Sequence, residues 1–180
     1  MGDRSFLERE SRELKGAKLL AKPTERLTVD NPLMFNRYKL IMDNDTLSIV
    51  QKGQGKRIEK VDVSNSGFKH SYMEQRARGA YIATICQPEA AYDLSITAQH
   101  QDPTPDDIKA LNKHLEWQKA NVSRGLTYIA LDLPTAKLFV FVDGSFTNNH
   151  DLSSQIGYVI MLANKTIREQ DFSLSSNIIH

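Results

Sequence analysis

The spacing of apolar positions changes along the chain, and with it the element it predicts. Residues 38–42 and 46–50 are short apolar-rich runs flanking Asp43, Asn44 and Asp45, so a β-hairpin is expected there. From 71 to 85 the pattern is helical and dense in small residues, Ala77, Gly79, Ala80 and Ala83, which predicts close approach of a neighbouring element. Residues 89–99 read as a second helix with Ala90, Leu94 and Ala98 on one side and Pro88 in its first turn. Asp102-Pro103 then breaks the chain. Thr104 is a candidate N-cap, Pro105 suits the first helical position, and Asp106 and Asp107 complement the positive end of the helix dipole. Ile108, Leu111, Leu115 and Val122 recur on one face of this third helix, which Gly125 is expected to stop.

The pattern differs toward the C-terminus. Residues 138–142, L-F-V-F-V, form an unbroken apolar run, the signature of a strand buried on both faces. It delivers Asp143 to the rim of the expected sheet, where Gly144 permits a turn and the close approach of a ligand. Residues 155–162, Q-I-G-Y-V-I-M-L, form a second strand, and the polar loop 147–154 lies beside the acid. Asp143 therefore either closes a strand or presents a carboxylate to a metal ion. Residues 1–22 carry Glu8, Arg9, Glu10, Arg12, Glu13, Lys15 and Lys18 around Leu7, Leu14 and Leu19, and read as a marginal helix or a frayed tail ended by Pro23.

Composition narrows the chemistry. With 40% apolar residues in 180, the chain can bury a core, and it belongs to neither the disordered nor the fibrous class. The 23 basic and 22 acidic residues leave a net charge of +1, so any attraction for nucleic acid must be local. The single cysteine, Cys86, excludes an intrachain disulfide and a cysteine-cluster zinc site, and its Ala-Thr-Ile-Cys setting favours a small buried residue over a nucleophile. The five histidines show no helical pairing suited to zinc. Neither a signal peptide nor an apolar run of about 20 residues is evident, which predicts a cytoplasmic or nuclear protein that does not engage a membrane.

One basic cluster stands out. Lys52, Lys56, Arg57 and Lys60 surround Gly53-Gln54-Gly55, but a Walker A loop would need Gly in place of Val50 and Ser or Thr in place of Arg57. The cluster reads first as a solvated basic turn and second as a phosphate contact. Trp117 falls off the apolar stripe of its helix and either stacks on a base or, the favoured reading, packs on the adjoining helices.

The sequence V-D-G-S-F at 142–146, followed by S-S-Q-I-G-Y-V-I-M-L and S-S-N-I-I-H, resembles the start of the ribonuclease H domain of copia-type retrotransposon polyproteins. R-G-A-Y-I-A-T-I-C-Q-P-E-A-A-Y-D-L-S at 78–95, residues 111–117 and G-L-T-Y at 125–128 resemble the stretch joining the polymerase palm to that domain, and residues 35–51 resemble the hairpin after the polymerase active site. The resemblance implies an α+β chain. It divides into a charged tail or helix (1–30), an N-terminal β-hairpin region (31–70), two to three thumb- or connection-like helices (71–125), and the opening antiparallel strands of an incomplete ribonuclease H-like sheet (126–180).

For function, the resemblance implies that Asp143 corresponds to the first catalytic, metal-binding acid of an enzyme that uses Mg²⁺ to hydrolyse the RNA strand of an RNA/DNA hybrid. No Tyr-x-Asp-Asp motif occurs, and Asp106-Asp107, the adjacent acidic pair, marks a helix start. Asp151, Glu169 and Asp171 do not match the family's motifs. The expectation is a fragment of a reverse transcriptase and ribonuclease H polyprotein that lacks most catalytic acids and binds no Mg²⁺ tightly. The parent's partners would be the hybrid and the remaining polyprotein domains, and the fragment would either self-associate or leave an apolar sheet face exposed. The alternative is a non-catalytic module that binds nucleic acid or protein through its helices or through Lys52, Lys56, Arg57 and Lys60.

Overall fold

The computed structural model describes residues 4–146, 154–164 and 175–179. The chain is α+β, with antiparallel sheets and helices segregated along the sequence. Helix α1 (Arg4–Gly16) buries none of its residues. An Arg4–Glu8 ion pair one turn apart supports it, and Phe6, Leu7 and Leu14 remain exposed.

Strands β1 (Leu33–Phe35), β2 (Tyr38–Asp43), β3 (Thr46–Gln51) and β4 (Gly125–Ile129) form an antiparallel sheet in that order. The expected hairpin is β2–β3, with Leu40 opposite Ile49 and Met42 opposite Leu47. Opposed residues share a face, so Tyr38, Leu40, Met42, Leu47, Ile49, Leu126 and Tyr128 line one side. Tyr38 and Ile49 of that side pack against the core. The other side carries Lys39, Ser48 and Thr127, whose two hydroxyls lie 3.1 Å apart. Ile41, Val50 and Ile129 share that second side, and both strands of the hairpin are half-buried along most of their length.

The helices α2 (Phe68–Cys86), α3 (Ala91–Thr97) and α4 (Pro105–Ala120) enter between β3 and β4. Their core gathers Tyr72, Ile82, Ala83, Ile85, Cys86, Leu94, Ile108, Leu111 and Leu115, with Ile58 and Val61 from the preceding segment. The small-residue reading of α2 has a specific cause at Gly79. A Cβ there would lie 2.7 Å from Gln118 Oε1, 3.0 Å from Leu115 Cδ2 and 3.2 Å from Leu94 Cδ2. The Gln118 amide uses this proximity to donate to the Gly79 carbonyl at 3.0 Å. Thr104 caps α4 in a reciprocal box with Asp107, with Pro105 in the first turn.

Several expectations change. The second helix is a 3₁₀ turn (Pro88–Ala90) followed by the shorter α3, because buried Gln87 pins the corner before it. The Gln87 amide donates to the Asn121 carbonyl at 2.7 Å, and its backbone N–H reaches the Ile82 carbonyl at 3.3 Å. Helix α4 ends before Gly125, and Val122 lies past its end, exposed. Residues 126–129, grouped above with the C-terminal segment, pair with β3 in the first sheet. Backbone hydrogen bonding, which a resemblance between sequences does not report, places these residues beside β3.

Strands β5 (Lys137–Ser145), β6 (Gln155–Ala163) and β7 (Ser176–Ile178) form a second antiparallel sheet in that order. Leu138 to Val142 is not covered on both faces: Leu138, Val140 and Val142 are 59%, 55% and 67% exposed. The reason is topological. The helices pack on the first sheet, and the core cluster takes no residue from β5, β6 or β7. An exposed apolar sheet face is therefore present.

Two asparagines join the sheets. Asn177 of β7 accepts from the Ile129 N–H at 2.8 Å and donates to the Ile129 carbonyl at 2.9 Å, so its amide acts as a strand partner for the end of β4. Asn164 accepts from the Asp132 N–H at 2.9 Å. Asn177→Asp replaces the donor with a second acceptor and leaves the Ile129 carbonyl facing a carboxylate. The expected cost is about 1–3 kcal/mol, seen as a lower thermal midpoint with faster amide exchange in β4 and β7. Unchanged exchange in both strands would show that the bridge does not hold the sheets.

Candidate nucleic-acid interface

The basic cluster begins where β3 ends. Gly53 adopts a left-handed conformation, φ 77°, that turns the chain into a 3₁₀ segment (Gln54–Arg57). Ile58 and Val61 then enter the core and fix what lies between them. The Glu59 N–H donates to Gln75 Oε1 at 2.9 Å, and Asn112 bonds both backbone groups of Val61, at 2.8 and 2.9 Å. With the chain so anchored, Arg57 and Lys60 face different clefts.

The structure thus divides the four predicted residues. Lys60 forms an ion pair with Glu116 of α4, at a cleft of about 620 Å³ lined also by Val63, Ile108 and Asn112. Lys52 and Lys56 are exposed on the turn. Arg57 lines a separate cleft of about 480 Å³ with Arg37, Gln54, Glu74, Arg78 and Tyr81. Lys52, Lys56 and Arg57 are exposed on the turn, and of the four only Arg57 lines the cleft with Arg37.

Arg37, Arg78 and Tyr81 were not legible as site residues. Arg37 occupies the two-residue turn between β1 and β2, with Asn36 at φ 45° and Arg37 at φ 68°. Both residues lie at positive φ, as the twist of a tight hairpin favours, but an arginine there costs roughly 1 kcal/mol. Its carbonyl accepts from the Lys52 N–H at 3.2 Å and from the Gln54 side chain, which ties the turn to the basic segment. The signal that could have found it is Asn-Arg between two strand-like runs.

Arg78 and Tyr81 come from α2, one turn apart. Arg78 bonds Glu74 one turn earlier at 2.5 Å and donates to the Arg57 carbonyl, so it orients the segment. Glu74 is the one carboxylate lining the cleft, and Arg78 occupies it. Arg37 and Arg57 consequently have no carboxylate partner among the cleft's lining residues. Tyr81 donates to the Asn36 carbonyl at 3.0 Å and stacks on Tyr38, ring centres 6.3 Å apart. Burial, followed by the hydrogen bond with Tyr81, raises the Tyr38 phenol above its ordinary pKa, so it stays neutral. A guanidinium beside an exposed aromatic ring such as that of Tyr81 can hold a phosphate backbone and stack a base.

The remaining candidates have structural surroundings. Arg124 lies over the Trp117 ring at 5.7 Å and bonds Glu89 through Nε at 3.0 Å, so that face of the indole is covered. Cys86 is fully buried, and desolvation raises its thiol pKa, which disfavours the thiolate. His114 pairs with Asp93 at 3.0 Å across α4 and α3.

Asp143 sits within β5 opposite Gly157 instead of at the strand's end, because pairing continues through Ser145. Among the described residues no three His, Cys, Asp or Glu side chains converge as a metal site. Asp151, Glu169 and Asp171 lie outside the described residues. Mg²⁺ keeps most of its water unless several oxygens converge, and among the described residues Asp143 belongs to no such group. Among the described residues no helix is long and apolar enough to cross a membrane. Compared with protein-family models, curated proteins and solved structures, the chain matches none of them.

Proposed function

We propose that this chain is a non-catalytic nucleic-acid-binding module that takes a phosphate backbone in the cleft of Arg37 and Arg57. The observation that carries the reading is that Arg37 and Arg57, from two separate turns, line one cleft whose carboxylate, Glu74, is bonded by Arg78. Lys52 and Lys56 extend the positive surface along the turn, while Tyr81, backed by Tyr38, supplies an aromatic face. The resemblance of residues 35–51, 78–95 and 142–146 to a copia-type polyprotein supplies an origin: a piece of a reverse transcriptase with the opening of its ribonuclease H region. The parent would copy RNA into DNA and cut the hybrid with Mg²⁺. The derived module would hold such strands without cutting them, in the cytoplasm or nucleus.

Fluorescence anisotropy with labelled single-stranded RNA and an RNA/DNA hybrid, over a series of salt concentrations, tests the cleft. Log affinity should fall with log salt by about 0.9 per phosphate contact on a duplex, or about 0.7 on a single strand. Arg37→Asn with Arg57→Gln should reduce that slope by nearly two contacts. Asn tolerates the left-handed turn, so the fold should be retained. Lys60→Gln should change little, because Glu116 already holds Lys60. Binding that survives loss of both arginines would overturn the cleft assignment.

A second expectation is catalytic silence. The purified chain should neither extend a primer on RNA nor cut a hybrid in Mg²⁺ or Mn²⁺. Hybrid cleavage above an Asp143→Asn control would show an active site and defeat the non-catalytic reading.

A further inference from the structure

The second sheet ends in an open strand. The order β5-β6-β7 leaves one edge of β5 without a hydrogen-bonded strand among the described residues, over nine residues, Lys137–Ser145. An edge of this length is ordinarily blunted by proline, repeated lysine or a bulge. β5 has no proline, and its register with β6 runs without interruption from Lys137↔Ala163 to Ser145↔Gln155. Its two charges stand at Lys137 and Asp143, with Leu138 to Val142 apolar between them. Such an edge is a template for another strand.

We infer that β5 pairs with β5 of a second copy, antiparallel about a two-fold axis at Val140. A two-fold normal to the sheet places like faces side by side, so residues of equal parity oppose each other and the register can shift only in steps of two. Centred on Val140, Lys137 of each copy faces Asp143 of the other, Phe139 faces Phe141, and Leu138 faces Val142. Centring on Phe139 sets Lys137 against Phe141, and centring on Phe141 sets Asp143 against Phe139. The Val140 register alone pairs both charges and both aromatics.

The result is one six-stranded sheet built from two three-stranded halves. Lys137, Phe139, Phe141 and Asp143 lie on one of its faces, and Leu138, Val140 and Val142 on the other. Asp143 then acts as an electrostatic register key. Copies offset by one step would leave a charge opposite a phenylalanine, so the pair selects among otherwise similar apolar alignments.

Sedimentation of the full chain across a concentration series tests the inference. Wild type should show a monomer–dimer equilibrium. Asp143→Lys places lysine opposite lysine at both ends and should weaken dimerisation by about tenfold or more. Lys137→Asp combined with Asp143→Lys should restore it, because the pairs are exchanged and not lost. In parallel, Val140→Cys should form a covalent dimer on mild oxidation, since the residue opposes itself, whereas Leu138→Cys should not. A chain that stays monomeric at every concentration would overturn the proposal. So would a dimer that ignores Asp143→Lys and gives no Val140→Cys crosslink.

Discussion

Gly125→Val is expected to unseat β4 from β3 and loosen the link to the second sheet. A Cβ on Gly125 would stand 2.4 Å from the Ile49 carbonyl oxygen and 2.6 Å from Val50 Cγ1. The first obstacle is backbone, so no rotamer change relieves it. The strand pair must separate at the position where Gly125 opposes Val50. The expected cost is on the order of 3 kcal/mol, the upper range for an overpacked site that cannot relax. Because Asn177 holds the far end of β4, amide exchange should rise from β4 into β7 while the amides of α4 stay protected. A melting temperature and exchange pattern equal to wild type would show that the approach at Gly125 is looser than described.

Leu111→Ala should act on the other half of the molecule. Leu111 is 0% exposed and lies in the cluster joining α4 to α2 and α3. Truncation removes buried carbons and leaves a cavity between rigid helices, at an expected cost of about 2–5 kcal/mol. For a chain of this size each kcal/mol lowers the melting temperature by about 2–4 °C. The neighbours that would have to close the gap, Ile82, Leu94, Ile108 and Leu115, are themselves fully packed, which favours the upper part of that range. The effect should reach the basic turn as well, because Ile58 and Val61 anchor it in the same cluster. Leu138→Ala, at a position exposed in the single copy, is the control and should change the monomer's stability little. A loss for Leu111→Ala no larger than for Leu138→Ala would contradict the assignment of the core.

The contrast between these leucines marks the boundary of what local pattern can report. In α4 the pattern, cap and first turn agree: Thr104, Pro105 and Asp107 serve as read, and Ile108, Leu111 and Leu115 are buried. Caps and helical periodicity depend on residues within one or two turns, so they are legible without knowledge of the fold. In β5 the same kind of reading misjudges the environment. An apolar run states what a strand could bury, whereas its cover depends on where distant helices pack, and here they pack on the first sheet.

The sequence by itself determined the α+β class, the β2–β3 hairpin, the helical stretch and a basic turn at residues 52–57, because each follows from local chemistry. Tertiary structure alone decided that β4 returns to β3, that Asn177 bridges the sheets, and that Lys60 turns to Glu116 while Arg57 lines a cleft with Arg37 and Arg78. These contacts join residues far apart in the chain. The energy of an arginine cleft depends on the distances that such contacts set, and those distances arise only when the core around Leu111 closes.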